Sequence, residues 1–323
     1  MGTLALIGLG SNLGDRKANL DGALVALSGT PGIEVRAVSS FHETASVGGP
    51  RGQGAFLNAA AALEVGLSPS DLLRALHAIE AGAGRLREVS WGARTLDLDL
   101  LLFGDQILDT PALLVPHPRM AVRRFVLAPL AEVAPKAVDP MTRRTVAELL
   151  ANLDRRPRYL ALANDGAADL FSRLVAELSA VGLHWGKQPS DWENLEILDQ
   201  RARELRADRW TTDLWGDRWV ITDFWFDDLF PLARARTGDR DRDAQAMTGR
   251  FYAARREVLE PTFVVLTSRN PWHSASEPLA VWARRTHPDA PVGCETPILR
   301  VRSQALETIV VEVLAACTAT GPG

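Results

Sequence analysis

Between Thr95 and Leu102 the chain reads Thr-Leu-Asp-Leu-Asp-Leu-Leu-Leu, and alternation of this kind predicts a β-strand. Side chains two residues apart on a strand share a face. Leu96, Leu98 and Leu100 therefore belong to a core, and Asp97 and Asp99 lie together on the opposite face. Two carboxylates side by side repel each other at a cost in stability, and a cation between them removes that cost. Hard oxygen ligands with room for water suit Mg²⁺ carried on substrate phosphates. The plainer reading is an exposed strand face with two solvated acids.

The flanks weigh against the plainer reading. Arg85, Arg87 and Arg94 stand just upstream, and His117, Arg119, Arg123 and Arg124 stand downstream. Guanidinium forks bind the phosphate oxygens that a metal leaves uncovered. A surface lattice of salt bridges is the alternative, and it would add little stability. Gly8-Leu-Gly-Ser-Asn-Leu-Gly14 follows the first strand and reads as a tight turn before a helix. It matches neither the dinucleotide fingerprint nor a Walker A loop, since no Gly-Lys-Ser/Thr follows.

The rest of the first half alternates strand and helix signals. Strands are read at Leu4–Gly8, Ile33–Phe41 and Phe56–Val65, and helices from Asp15 to about Leu27 and from Ser68 to about Ala81. Thr145-Val-Ala-Glu148 is a capping box that opens the last helix of this half. Mixed order of this kind predicts an α+β fold. Composition then changes near residue 155: eight of the 9 tryptophans and both tyrosines lie beyond it. The polar Asp154-Arg-Arg-Pro157 reads as a linker, and 323 residues suffice for two domains, here 1–153 and 158–323.

A net charge of -4 gives no support for nucleic-acid binding. No apolar run approaches the roughly 18 residues that span a bilayer. Two cysteines make no disulfide framework, and the N-terminus lacks a signal-peptide pattern, so a cytoplasmic protein is expected.

Five segments carry a family resemblance: Gly10-Ser-Asn-Leu-Gly-Asp15, Phe56-Leu-Asn-Ala-Ala60, Gly84-Arg-Leu-Arg87, Trp91-Gly-Ala-Arg-Thr-Leu-Asp-Leu-Asp99 and Val115-Pro-His-Pro-Arg-Met120, the last followed by Arg123-Arg-Phe-Val-Leu127. In this order, over residues 3 to 150, they resemble the 6-hydroxymethyl-7,8-dihydropterin pyrophosphokinases. The resemblance implies a ferredoxin-like α/β sandwich that moves the pyrophosphoryl group of ATP to the pterin hydroxymethyl oxygen, with AMP released. It implies two Mg²⁺ ions on Asp97 and Asp99. It assigns Arg85, Arg94 and His117 to phosphates with help from Arg123, and Arg87, Trp91 and Glu80 to the neighbourhood of the nucleotide. It gives the pterin to Phe56 and Phe125 by stacking, and its polar edge to Asn58 and the backbone near Thr44. The chain departs from the family pattern at Ala45, Ser90 and Ala93, none of them a metal ligand.

In the second half, strands are read at Arg158–Ala163, Trp219–Asp223, Phe263–Thr267 and Ile298–Val301, and helices at Ala167–Val181 and Ala305–Ala316. These runs predict an α/β domain with a central parallel sheet, and their order is similar to that of P-loop deoxynucleoside kinases. The loop Asn164–Leu170 lacks the phosphate-binding lysine, and Asp223 is followed by Phe224 rather than arginine. A kinase-like domain without kinase activity is therefore expected. Its tryptophans are read as core, and a homodimer through this domain is a further expectation. The rival readings are a bifunctional enzyme with nucleoside kinase activity and a non-catalytic scaffold. The intact Asp97, Asp99, His117, Arg94 and Asn58 set argues against the scaffold.

Overall fold

The structure is a computed structural model that describes residues 2–50, 52–84, 92–163, 168–184, 202–210, 216–223, 225, 251, 253–267, 296–301, 303 and 305–321. The chain forms two compact units, Met1–Leu153 together with Ala315–Gly323, and Asp154–Leu314. The last nine residues thus belong with the first unit and not with the segment that precedes them.

The first unit runs β1 (Thr3–Ser11), α1 (Arg16–Ser28), β2 (Ile33–Val38), β3 (His42–Thr44), β4 (Phe56–Val65), α2 (Pro69–Gly82), β5 (Asp97–Phe103), a small hairpin β6–β7 (Leu108–Asp109 and Leu114–Val115), α3 (Arg124–Val133) and α4 (Val146–Asp154). The strand order is β2-β4-β1-β5, with β3 paired to the far end of β4, and every pairing is antiparallel. This is the expected ferredoxin-like βαββαβ arrangement.

Local signals set the helices. Asp15 caps α1 by accepting from the Ala18 N–H at 3.0 Å, and Ser68 caps α2 with Pro69 in its first turn. The capping box forms: Thr145 N–H donates to Glu148 at 2.7 Å, and Glu148 N–H donates to Thr145 Oγ1 at 3.2 Å.

Period-two alternation gives the sheet two apolar faces. Ala5, Ile7 and Leu9 of β1, Ala59, Ala61 and Leu63 of β4, and Leu98 and Leu100 of β5 pack with Leu20, Leu27, Leu72 and Leu76 of α1 and α2. Each such leucine contributes about 1.5–3 kcal/mol through burial. On the other face Leu6, Ala60, Ala62, Leu101 and Leu102 meet Leu127 and Leu130 of α3 and Leu149 and Leu153 of α4. The register between β1 and β5 shifts at Leu6/Ile7, so one residue of β5 is extra there. Leu101 and Leu102 therefore turn to the same side, and Asp97 and Asp99 point from the part of that face that α3 and α4 leave open.

In the second unit β8 (Arg158–Ala163), β9 (Val181–Leu183), β10 (Trp219–Thr222), β11 (Phe263–Thr267) and β12 (Ile298–Val301) form one parallel sheet in the order β12-β11-β8-β10-β9. Helix α5 (Ala168–Glu177) packs against β9 and β10, and helix α6 (Leu306–Ala319) starts in this unit and runs past the division at Ala315. Trp210, Trp219 and Trp225 are buried, as core residues should be. The helix expected to reach Val181 ends at Glu177. Ser179 takes a positive φ of 47°, and Val181 opens β9. Gly182 lies so close beneath Phe171 that a Cβ there would stand 2.8 Å from the ring. Among the described residues no helix is long and apolar enough to cross a membrane.

The expectation of a P-loop-kinase-like second domain requires correction. It rested on strand order and on an acid at a strand end, and open parallel sheets of many functions share both. That acid, Asp223, meets His184 Nδ1 at 2.7 Å. Most of the loop read against the phosphate-binding loop, 164–167, lies outside the described residues, as does Lys187.

Candidate active site

Three central strands place the site. Gly10 of β1 stands opposite both Asn58 of β4 and Asp97 of β5, and Gly8 stands opposite Asp99. All these residues share one face of the sheet. The two glycines leave a floor with no side chains between the aspartates and Asn58. A Cβ on Gly10 would lie 3.3 Å from Asn58 Oδ1, 3.7 Å from the Phe56 ring and 3.9 Å from Asp97 Cβ. Above this floor opens a pocket of about 190 Å³.

One wall of the pocket is acidic and cationic. Asp97, Asp99, Arg94, His117, Arg119 and Arg123 line it. Arg94 forms an ion pair with Asp97. Asn12, at the end of β1, fixes the Arg94 backbone from both sides. Its N–H donates to the Arg94 carbonyl at 3.0 Å, and its Oδ1 accepts the Arg94 N–H at 2.7 Å. The Asn12 amide also reaches Gln53 Oε1 at 3.2 Å, which ties the loop after β3 to the same point. Burial, reinforced by the charges of Arg123 and Arg119, lowers the His117 pKa from 6.5 to about 3. The ring is neutral at physiological pH. Its Nδ1 accepts the Arg119 N–H at 3.2 Å, so the proton sits on Nε2 as a donor. Burial also lowers Arg123 to about 10, with Asp99 opposing, and its guanidinium remains charged.

The opposite wall is aromatic and polar. Phe56 opens β4 and Phe125 lies in the first turn of α3, and both line the pocket with Thr44 and Asn58. Asn58 donates to Thr44 Oγ1 at 2.8 Å, and the Arg123 guanidinium lies 5.5 Å from the Phe125 ring centre.

The pocket thus gathers Thr44, Phe56, Asn58, Arg94, Asp97, Asp99, His117, Arg123 and Phe125. Glu80 does not line it. That residue is buried on the α2 side of the sheet, where Oε1 accepts the Leu98 N–H at 2.8 Å, between the two aspartates in sequence. Arg85, Arg87 and Trp91 lie outside the described residues. Sequence reasoning missed the floor glycines and Asn12, having read Gly8–Gly14 as a turn, whereas β1 continues to Ser11. The two-residue spacing of Gly8 and Gly10 was the signal.

The donor set suits Mg²⁺. Two hard carboxylates stand together, and among the described residues no group of three or more His, Cys, Asp or Glu side chains could hold a metal by itself. Mg²⁺ characteristically binds through one or two carboxylates and completes its shell with phosphates and water.

A ferredoxin-like sandwich with paired aspartates, three pocket arginines and an aromatic wall suits the class of phosphoryl-transfer enzymes that bring a polyphosphate beside a flat second substrate. Residues 6–135 match the model of the 7,8-dihydro-6-hydroxymethylpterin-pyrophosphokinase (HPPK) family. The chain is 45% identical over 150 residues to the 2-amino-4-hydroxy-6-hydroxymethyldihydropteridine pyrophosphokinase of Synechocystis sp., covering 46% of this chain and 76% of that protein. It is 48% identical over 145 residues to the enzyme of the same name from Pseudomonas aeruginosa, covering 45% and 88%. The chain belongs to the HPPK family.

A solved HPPK-DHPS from Plasmodium falciparum aligns with 83% of this chain and 73% of its own, at 10% identity and a TM-score of 0.36. The alignment runs past the first unit, and the protein it reaches is an HPPK-DHPS and not a deoxynucleoside kinase. The kinase-like assignment of the second half is withdrawn, because strand order and one strand-end acid fit parallel sheets of many functions. A likeness of this degree assigns neither a fold nor an activity to that half in its place.

Proposed function

We propose that the first unit transfers the pyrophosphoryl group of ATP to the hydroxymethyl oxygen of 6-hydroxymethyl-7,8-dihydropterin in folate biosynthesis, with AMP as the other product. The observation that carries this reading is the meeting of Asp97, Asp99, Arg94, Arg123 and neutral His117 with Phe56, Phe125 and Asn58 in one pocket. Asp97 and Asp99 hold Mg²⁺, two ions in this reading. Bound there, the metal would supply charge neutralisation for the phosphate oxygens and Lewis acidity toward the hydroxyl.

The chain's own groups do the positioning. Arg94 and Arg123 bind phosphate oxygens as preorganised cations in a half-buried wall, where charge–charge terms exceed those in water. His117 Nε2–H donates to a phosphate oxygen and adds no charge that would have to move. Arg85, Arg87 and Trp91 complete the nucleotide side, and Glu80 acts behind β5 by holding the Leu98 N–H. Phe56 and Phe125 stack on the pterin faces, while Asn58 and the backbone near Thr44 read its polar edge. Held this way, the hydroxymethyl oxygen stands beside the aspartates for in-line attack, an orientation effect as well as an electrostatic one. The reading also has the chain act in the cytoplasm and pair through its second unit. Sedimentation velocity separates monomer from dimer.

The reaction is tested with purified full-length chain, ATP, Mg²⁺ and the pterin, with products identified by mass spectrometry. The expected products are AMP and the pterin diphosphate in equal amounts. ADP with a pterin monophosphate would contradict the reading.

A further inference from the structure

Behind the pterin wall lies a polar cluster that the reaction does not use. Glu132, near the end of α3, accepts the Ser40 N–H at 2.7 Å and the Ser40 hydroxyl at 2.9 Å, and its Oε1 lies 2.6 Å from His42 Nε2. Ser40 Oγ lies 3.2 Å from that same Nε2. One ring nitrogen therefore faces both the hydroxyl and the carboxylate. A proton relay needs two different nitrogens, so the cluster is built as a tie.

What it ties is specific. Glu132 and Phe125 are seven residues apart, close to two turns, so they share a face of α3 about 10 Å apart along its axis. His42 and Thr44 are two apart on β3 and likewise share a face. β3 is three residues long and, among the described residues, pairs only with β4. Two converging edges, α3 and β3, are thus joined at one end by Glu132 and spread at the other around the pocket, where Phe125 stands on one and Thr44 on the other.

We propose that Glu132, through His42 and Ser40, is a positioning residue for the pterin. It holds β3 against α3, and so sets the slot between Phe125 and the Thr44–Phe56 edge to the thickness of one flat ring. This inference rests on the proposed reaction. Most of the acidic and cationic wall stands on β5 and on the segment around His117, which this cluster does not touch, and Arg123 stands at the end of α3 away from Glu132, so ATP should be little affected.

The test uses Glu132→Ala, His42→Ala and the double variant of the full chain. Turnover is measured together with calorimetric binding of the pterin in the presence of a non-hydrolysable ATP analogue. The expected result is a rise of about tenfold in pterin KM and Kd for Glu132→Ala, the scale of losing hydrogen bonds to a charged group. ATP KM and kcat should stay within about twofold. The double variant should be no worse than Glu132→Ala, and Glu132→Gln should recover part of the loss. Unchanged pterin binding, a parallel decline in both substrates, or simply additive losses would each overturn the proposal. A wild-type chain that binds the pterin without turning it over would sink the reaction, and the tie would then be judged on Kd.

Discussion

Asp97 and Asp99 project from alternate positions of one strand onto a face floored by glycine, and little but a cation can make that arrangement favourable. Asp97→Asn and Asp99→Asn should each abolish measurable turnover while circular dichroism stays native. Undiminished activity in both variants would remove the metal role. Gly10→Ala should weaken pterin binding several-fold, because its Cβ would crowd Asn58 Oδ1 at 3.3 Å, whereas Gly8→Ala meets only Leu101 at 3.6 Å and should be tolerated. Equal effects in calorimetry would show that the floor is not part of the slot.

His117 carries a pH prediction. Folded, it protonates only near pH 3; unfolded, near 6.5. Its contribution to stability is full above 6.5. It is lost as pH falls toward 3, because the unfolded chain takes up the proton first. His117→Gln should flatten that part of the curve, so the wild-type loss in urea midpoint between pH 7 and pH 5 should shrink. An unchanged slope would mean that His117 is not buried neutral.

At the scale of elements, the pterin site is a strand edge facing a helix start. Phe56→Ala and Phe125→Ala should each cost about 1–3 kcal/mol in pterin binding, the range for a buried apolar side chain, with ATP binding little changed. Equal losses for both ligands in calorimetry would show that the rings shape the pocket as a whole. The strand under the aspartates was legible because alternation is a local signal, and the helix starts were legible because caps are local too. Helix α3 was not, since Pro129 sits inside it and proline argues against a helix interior. Three-residue β3 was not, since a strand so short has no period to detect. The bulge that turns Leu101 and Leu102 to one side arises from pairing with β1, which no stretch of β5 encodes by itself.

At the scale of the molecule, the first unit closes with residues distant in sequence. The Arg124 guanidinium donates to the Thr320 carbonyl at 3.4 Å, and Ala315–Gly323 belongs to that unit. Deleting residues 315–323 should lower the unfolding temperature and leave the ATP and pterin KM values near those of the full chain. An unaltered unfolding temperature would show the segment to be dispensable. The second half was less legible, because a parallel sheet and one strand-end acid are common to many functions and neither identifies a ligand.

The claim on which the rest depends is that the face carrying Asp97 and Asp99 passes pyrophosphate from ATP to the pterin. The most direct measurement is the initial rate of AMP release by the full chain, with and without Mg²⁺ and with and without 6-hydroxymethyl-7,8-dihydropterin, for wild type and Asp97→Asn. The account predicts AMP only when wild type, metal and pterin are all present. AMP release that persists without the pterin, or in Asp97→Asn, would contradict it.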